Sequence, residues 1–475
     1  MRDPITRQAA TTPNKLALRH TTGDFTFADL AGRIAAAQRF FAGQHLSPRS
    51  VAATCVANLA DGWVIGMALR TLGVTTMAIA NPLDLTAHVI TSVDVLVISS
   101  GELHAGLDQV RQVRVIRVPT DLSARARPAG ASARPARPGG HILFTSGTTG
   151  TARQLVIDER TAPAHLGSRA AAFDLEGEAV LNIFDWGLWT SLGFLLPFKV
   201  WELGGTVMIR QPPDFGPADL MASPTHAIVT PVMLSNALRA APPPRRLERM
   251  RLFVGGGPLP AALAAEALAR VTTRLYTVAA STEAGVWTVT PIVSPQDTAS
   301  HLPAPGRRIE IVDEADQPVE PGQVGAIRVD ALAEVNAYHR DPEATLSAFR
   351  DGYFYPGDLG VIDLDGRLSF RGRASDLISA ANQKVAPEPI EDLVAARLGV
   401  EAVCAFSCDA GALSEELHLA IQTQASIPRE QLEALALSAF SSFSKVHFHI
   451  VADLPRNDRG KLQRFLVRQR FLGGG

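Results

Sequence analysis

The sequence predicts an α/β protein: a large N-terminal domain of sheets flanked by helices with a small β-rich subdomain, followed by a small α+β C-terminal domain. Three observations carry that expectation. Over roughly the first 120 residues, helical and strand periodicities alternate, as they do where parallel strands are covered by helices. From about Arg307, short apolar runs are separated by Pro and Gly turns. After a connection at Gly372 to Ser375, roughly a hundred residues carry helix and strand signals of their own.

The elements follow in order. Phe27 to Phe41 spaces its apolar residues at helical intervals, Val51 to Val56 reads as a buried strand, Gly62 to Leu69 is helical again, and Val95 to Ile98 is another strand. Between Ser123 and Gly140 the composition collapses to Ala, Arg, Pro and Gly, with Arg125, Arg127, Arg134 and Arg137, which predicts a surface loop. The most hydrophobic stretch, Gly187 to Trp201, is interrupted by Thr190, Ser191, Pro197 and Lys199. It falls short of the ~20 apolar residues of a bilayer span and predicts a core helix. Pro242 to Arg246 predicts a turn, and Ile309 to Val312 and Gly325 to Val329 predict short strands. The boundary is expected at the Gly372 connection, giving domains 1–372 and 373–475.

Composition excludes several classes. Of 475 residues, 46% are hydrophobic and 19% charged, so the chain can build sizeable cores and is not a disordered polyelectrolyte. With 45 Lys plus Arg against 47 Asp plus Glu, it offers no strong overall field for a polyanion, so no nucleic-acid partner is expected. Cys55, Cys404 and Cys408 are too few for a disulfide scaffold and lack zinc-type spacing, which predicts free buried thiols in a reducing compartment. The start, Met1-Arg2-Asp3-Pro4, has no apolar core of signal-peptide length. A cytoplasmic protein without a membrane span is expected.

The string Ile142-Leu143-Phe144-Thr145-Ser146-Gly147-Thr148-Thr149-Gly150 is an apolar strand end that opens into a loop of hydroxyl and glycine residues. Glycines let main-chain N–H groups turn toward an anion and the hydroxyls add donors, so the loop reads as a phosphate cradle. The Gly-Lys-Ser/Thr ending of a Walker loop is missing, and by composition alone a polar hairpin turn fits as well.

Further segments follow: Gly255-Gly256-Gly257-Pro258-Leu259, Ser281-Thr282-Glu283-Ala284-Gly285, and Gly352-Tyr353-Phe354-Tyr355-Pro356-Gly357-Asp358. Then come Gly372-Arg373-Ala374-Ser375-Asp376-Leu377-Ile378, and Leu454-Pro455-Arg456 through Gly460-Lys461. In this order and spacing, over essentially the whole chain, they resemble the motifs of the acyl-adenylate-forming superfamily, which includes acyl-CoA synthetases, nonribosomal peptide synthetase adenylation domains and luciferases. The acyl-CoA synthetase branch is the most similar. The resemblance implies ATP and Mg²⁺, with Thr145, Ser146, Thr148 and Thr149 in a loop with Gly147 and Gly150 that holds the β- and γ-phosphates. It implies Thr282 at the α-phosphate, Glu283 as the Mg²⁺ ligand, Asp358 and Arg373 at the ribose, and Gly256 at the nucleotide. Lys461, on a mobile C-terminal domain, is implied as the charge placed between carboxylate and α-phosphate. Read without the resemblance, Glu283 and Asp358 are surface or capping carboxylates and Lys461 a solvated lysine.

Departures from the family pattern bear on activity. Ala152-Arg153-Gln154 stands for Pro-Lys-Gly, so Arg153 takes the place of a lysine with altered geometry. Ala279-Ala280 replaces the Tyr-Gly whose aromatic stacks on adenine, which implies looser or different adenine contacts. Ser375 stands at the hinge for Asp or Lys, and Asn382, the non-glycine residue best suited to a left-handed backbone, for a glycine of the thioester-forming loop. Pro356 removes a hydroxyl and an N–H from the ribose loop.

For the acid, Asn182 to Trp189 is the informative segment. Phe184 occupies the place of the acyl-pocket gate, Gly257 lies in the implied substrate pocket, and Asp185 matches the carboxylate that pairs with an α-amino group in amino-acid-activating relatives. The alternative for Asp185 is a helix cap before Trp186. The expected function is activation of a small carboxylic acid to acyl-AMP and transfer to a thiol, coenzyme A first. The alternatives are activation for an acyl-carrier protein or an amine, and a catalytically degenerate nucleotide-binding scaffold.

Overall fold

The computed structural model describes residues 3–81, 85, 92–100, 113–119, 137–145, 153–184, 186–209, 224–240, 246–332, 337–380, 383–407, 416–456 and 462–472. Side chains at 379, 380, 383, 384 and 472 are outside the description.

Local chemistry sets the helix ends. Thr26 caps the helix Phe27–Ala42 in a reciprocal box with Asp29: Asp29 N donates to Thr26 Oγ1 at 3.1 Å, and Thr26 N to Asp29 Oδ2 at 2.8 Å. Asn58 caps Leu59–Thr71 through Asp61 N at 3.2 Å. The hydrophobic segment expected to be helical from Gly187 begins its helix only at Ser191 and continues to Leu203. Thr190 caps it by accepting from Gly193 N at 2.9 Å, while its own N–H closes a turn onto Gly187 O at 3.0 Å. A Cβ on Gly193 would lie 2.1 Å from Trp186 O, so the turn needs glycine there. The capping position of this helix therefore belongs to Thr190, five residues beyond the one expected for Asp185.

Two parallel sheets dominate. In the eight-stranded sheet, strands Leu275–Ser281, Arg251–Gly255, His226–Val229, Val180–Asn182, Thr206–Ile209 and Leu16–His20 run parallel in that spatial order, with antiparallel edges Gly285–Ile292 and Gly23–Thr26. In the six-stranded sheet, Arg114–Val118, Val95–Ser99, Val51–Cys55, Thr75–Ala78 and His141–Phe144 run parallel, and Gln154–Ile157 returns antiparallel to His141–Phe144. One continuous cluster joins the sheets through the helices between them: Leu18 and Val207 from one, Val95 and Leu143 from the other, with Phe41, Trp63, Phe194 and Trp201 between. Trp63 and Phe194 stack at 5.3 Å. Strands buried on both faces read as unbroken apolar runs, which is why Val95 to Ile98 was legible.

Residues 309–373 form an antiparallel sheet around Gly325–Asp330 with its own core of Ile309, Ile311, Ile327, Val329 and Leu368. Beyond it, Ile378, Val394, Val403, Leu417, Leu419 and Ile421 make a separate core. A three-stranded sheet there, Ala402–Phe406, Glu416–Gln422 and Lys445–Val451, is covered on one face by helices Pro387–Leu398 and Arg429–Ala439. The opposite face packs against Val467 of the helix Arg464–Leu472. Cys55 and Cys404 are buried and outside any disulfide, and burial pushes the Cys404 thiol up to about 12. Cys408, the arginines 125, 127 and 134, and residues 242–245 lie outside the described residues. No helix among the described residues is long and apolar enough to cross a membrane.

Candidate nucleotide and acid-activation site

Of the expected site residues, Thr145, Phe184, Gly256, Gly257, Thr282 and Glu283 follow the carboxyl ends of parallel strands, where open α/β sheets bind ligands. Asn182 ends one strand, Gly255 the next but one, and Ser281 its neighbour, with Gly255 opposite Val278. Gly256 follows Gly255 at φ 86°, a left-handed turn that suits glycine, and a Cβ on Gly257 would meet open space.

Thr282 and Glu283 form the turn between Leu275–Ser281 and Gly285–Ile292. Ser281 Oγ accepts from Ala284 N at 3.0 Å, and Gly285 closes the turn at φ 69°. A Cβ there would lie 2.7 Å from Leu332 Cδ1. The turn thus holds Glu283 inward, 7% exposed, and burial raises its carboxyl pKa. The Tyr338 hydroxyl donates to Glu283 Oε1 at 2.7 Å, and the Arg153 guanidinium sits 5.1 Å from the centre of the same ring. Both favour the charged form against burial.

Arg153 belongs to the hydroxyl-rich loop. Strands His141–Phe144 and Gln154–Ile157 form a hairpin, and Thr145, 6% exposed, donates its N–H to Arg153 O at 2.8 Å. The chain Glu283–Tyr338–Arg153–Thr145 therefore joins the Thr-Glu turn to the base of the loop. Ser146, Gly147, Thr148, Thr149 and Gly150 lie outside the described residues.

The strand feeding that loop is clamped by buried polar contacts. His141, 1% exposed, lies 2.8 Å from Thr76 Oγ1 through Nδ1 and 3.0 Å from Leu188 O through Nε2, and stacks on Phe194 at 3.7 Å. Burial, with Arg70 nearby, drives its pKa down to about 3, so the ring is neutral. Through Leu188, the loop's strand is tied to the Asn182–Trp189 segment.

In that segment Asn182 Oδ1 accepts from Phe184 N at 3.0 Å and Phe184 adopts φ 51°. The Phe184 side chain, 1% exposed, packs among Val229, Leu234 and Val254. It is a core side chain in this structure. Asp185 lies outside the described residues.

Asp358 and Arg373 face each other across antiparallel strands, with Arg373 Nε 3.0 Å from Asp358 Oδ1 and Nη1 donating to Pro356 O at 2.8 Å. The guanidinium holds both the carboxylate and the turn, and Gly357 at φ 82° lets the turn form. The Asp358 sheet and the Thr-Glu turn share one apolar cluster containing Ala284, Tyr338, Phe354 and Leu368.

Lys461 lies outside the described residues, as does Asn382. The described residues on either side of Lys461 are pinned to one another. Arg456 and Leu462 form an antiparallel bridge, and Gln463 N donates to Pro455 O at 2.9 Å. Arg464 binds Asp376 Oδ2 at 2.7 Å, Glu391 Oε1 at 2.6 Å and Ala405 O at 3.1 Å. The lysine motif is thus tied by an ion pair to Asp376 of the hinge motif.

Tyr338 was absent from the sequence reading. Its only signals there were its place just before the Asp341-Pro342 helix start and its rarity, one of 4 tyrosines. Replacing it by phenylalanine keeps the packing but removes the hydroxyl that favours ionised Glu283. The expected result is pyrophosphate exchange lowered by about tenfold, with the acid limb of its pH profile moved to higher pH, since losing a donor raises the carboxyl pKa further. An unmoved limb in Tyr338→Phe would reduce Tyr338 to a packing residue.

These residues define an α/β protein in which Thr145, Thr282 and Glu283 follow strands of two parallel sheets, with the buried Glu283 joined through Tyr338 to Arg153. Residues 5–335 match the AMP-binding enzyme family, and the chain belongs to that family. It is 27% identical over 351 residues to the long-chain-fatty-acid–CoA ligase of Salmonella typhimurium, covering 70% of this chain and 62% of that protein. It is 29% identical over 360 residues to the fatty acid–[acyl-carrier-protein] ligase ScoC of Streptomyces coeruleorubidus, covering 70% of this chain and 67% of that one. The chain therefore spans less than two thirds of the length of the Salmonella ligase. Its fold matches that of ATP-bound MatB from Rhodopseudomonas palustris with a TM-score of 0.81, 24% identity and 99% coverage of both chains.

Proposed function

We propose that this protein activates a small carboxylic acid with ATP and passes the acyl group to a thiol, coenzyme A in the first place. The observation that supports the reading is the Glu283–Tyr338–Arg153 connection to Thr145, because it joins an acidic anchor to the two described residues that flank the hydroxyl-rich sequence. A carboxylate oxygen attacks the α-phosphorus, the bond to the β-phosphate oxygen breaks, and pyrophosphate leaves. The thiol sulfur then attacks the acyl carbon, AMP leaves, and the thiol proton passes to solvent.

Roles follow from charge and placement. Thr145, Ser146, Thr148 and Thr149, with Gly147 and Gly150, hold the β- and γ-phosphates, and Arg153 adds a cation at the end of that loop. Thr282 contacts the α-phosphate, Gly256 and Gly257 border the nucleotide and acid, and Asp358, oriented by Arg373, accepts from the ribose hydroxyls. Lys461 places positive charge where it develops in the first step. Glu283 suits Mg²⁺, because that ion takes one or two carboxylates and the rest of its oxygens from phosphates and water. Bound there with ATP, the ion would neutralise phosphate charge. Residues 1–372 would carry the nucleotide site and 373–475 would move Lys461 relative to it. Buried Cys55 and Cys404, neither in a disulfide, support a reducing compartment, and we propose the cytoplasm.

A carrier-protein acceptor is the second reading, favoured by the likeness to ScoC. The two are separated by acid-dependent AMP release with each acceptor supplied alone. Release that needs coenzyme A is expected. Release that needs only a carrier protein or amine would transfer the second step to the other reading, and absence of ATP–pyrophosphate exchange with any fatty, aryl or amino acid would overturn acid activation itself.

A further inference from the structure

The small sheet near the C-terminus carries a histidine cluster that acid activation does not use. Strands Glu416–Gln422 and Lys445–Val451 pair parallel and in register, with His418 opposite His447 and Ala420 opposite His449. Successive side chains on a strand alternate faces, so Glu416 and His418 share one face with His447 and His449. This is the face that packs Cys404, Phe406 and Ala420 against Val467, whereas Leu417, Leu419 and Ile421 face the other core.

The geometry is close. His418 and His447 stack at 4.2 Å, and His418 Nδ1 lies 3.0 Å from His449 Nε2. His447 Nε2 lies 2.9 Å from Glu416 Oε2. Potential ligand atoms of Glu416, His418 and His447 all fall within 4.8 Å of one another. Zinc held tetrahedrally by nitrogen and oxygen at about 2.0–2.1 Å needs ligand atoms about 3.4 Å apart, a distance that small side-chain rotations reach. We propose that Glu416, His418 and His447 bind one divalent transition-metal ion of the zinc class.

Chemistry and placement both favour such an ion. Two imidazoles and one carboxylate suit zinc and its neighbours, whereas Mg²⁺ prefers an all-oxygen shell, so this site is chemically separate from the one at Glu283. Three protein ligands leave a fourth position for water or another group. His418 is 6% exposed and backed by Phe406 at 5.2 Å, while His449 stacks on Phe471 at 4.3 Å. Packing therefore limits His418 to small rotations before any ion arrives, which lowers the ordering cost of binding. The ion would cross-link the two parallel strands on the face covered by the last helix, and so stabilise the unit that follows the Asp376 hinge motif.

The test is titration of the untagged full chain with Zn²⁺ and with Co²⁺, in excess Mg²⁺, by calorimetry and by cobalt visible absorption. The expected result is one ion per chain with tetrahedral-type cobalt bands, at least about tenfold weaker binding in His447→Asn and in Glu416→Gln, and equal binding in Glu283→Gln. Zinc should also raise the melting temperature of the wild type and leave that of His447→Asn in place. Absence of saturable binding, or binding of equal strength in wild type and both site variants, would overturn the proposal and leave the cluster a hydrogen-bonded ring stack. Loss of binding in Glu283→Gln alone would overturn it too, by moving the ion to the nucleotide site.

Discussion

Glu283→Gln is expected to lower acid-dependent exchange of pyrophosphate into ATP by about 10²–10³-fold while making the nucleotide-free protein more stable at neutral pH. The loss follows from removing the negative charge proposed to hold Mg²⁺; the amide keeps the shape and an oxygen for the Tyr338 hydroxyl but not the charge. The gain follows from burial. The Glu283 carboxyl sits at 7% exposure with its pKa raised from 4.5, chiefly by desolvation. A carboxyl raised in the folded state contributes fully below its unfolded pKa, and that contribution is lost as pH rises through the folded value. Glutamine suffers no such loss. Denaturant unfolding should therefore show an advantage of Glu283→Gln that widens between pH 4.5 and neutrality, and an equal difference at both ends would contradict the view of Glu283 as a desolvated carboxylate. A site that gives up stability for a charge in the right place is a common compromise in active centres.

Lys461→Ala carries the other large effect. In the first step negative charge concentrates between the attacking carboxylate and the α-phosphate, and one ammonium there is worth about 10²–10³ in rate. Exchange should fall by that factor. Melting should be unchanged, because the flanking chain is held by other groups: the Arg456–Leu462 bridge and the Arg464 contacts to Asp376 and Glu391. Exchange as fast in Lys461→Ala as in wild type would remove the residue from the mechanism. A melting point lowered together with exchange would instead mark it as structural.

The sheet order and the side-chain meetings show where sequence reasoning stopped. Unbroken apolar runs such as Val95 to Ile98 expose buried parallel strands, because both faces of such a strand meet helices. The motif order exposed Glu283, Asp358 and Arg373, and the structure joins Asp358 to Arg373 directly. Helix starts were less legible. The apolar run from Gly187 looks helical throughout, yet the Thr190 hydroxyl and the close packing of Gly193 on Trp186 move the start to Ser191. Phe184 was expected at a pocket and lies in the core, since a motif position specifies sequence neighbours and not which way a side chain turns at φ 51°.

What the sequence alone determined is local or ordinal: apolar periodicity, glycine at left-handed turns, and a set of motifs in fixed succession that placed the chain in its family. Only the tertiary structure decided which distant residues meet. Tyr338 reaches Glu283 across 55 positions of chain, and His418 faces His447 across two strands paired in register. The physical reason is that such contacts depend on strand register and on turns closing in three dimensions, and no local preference of either residue encodes its partner.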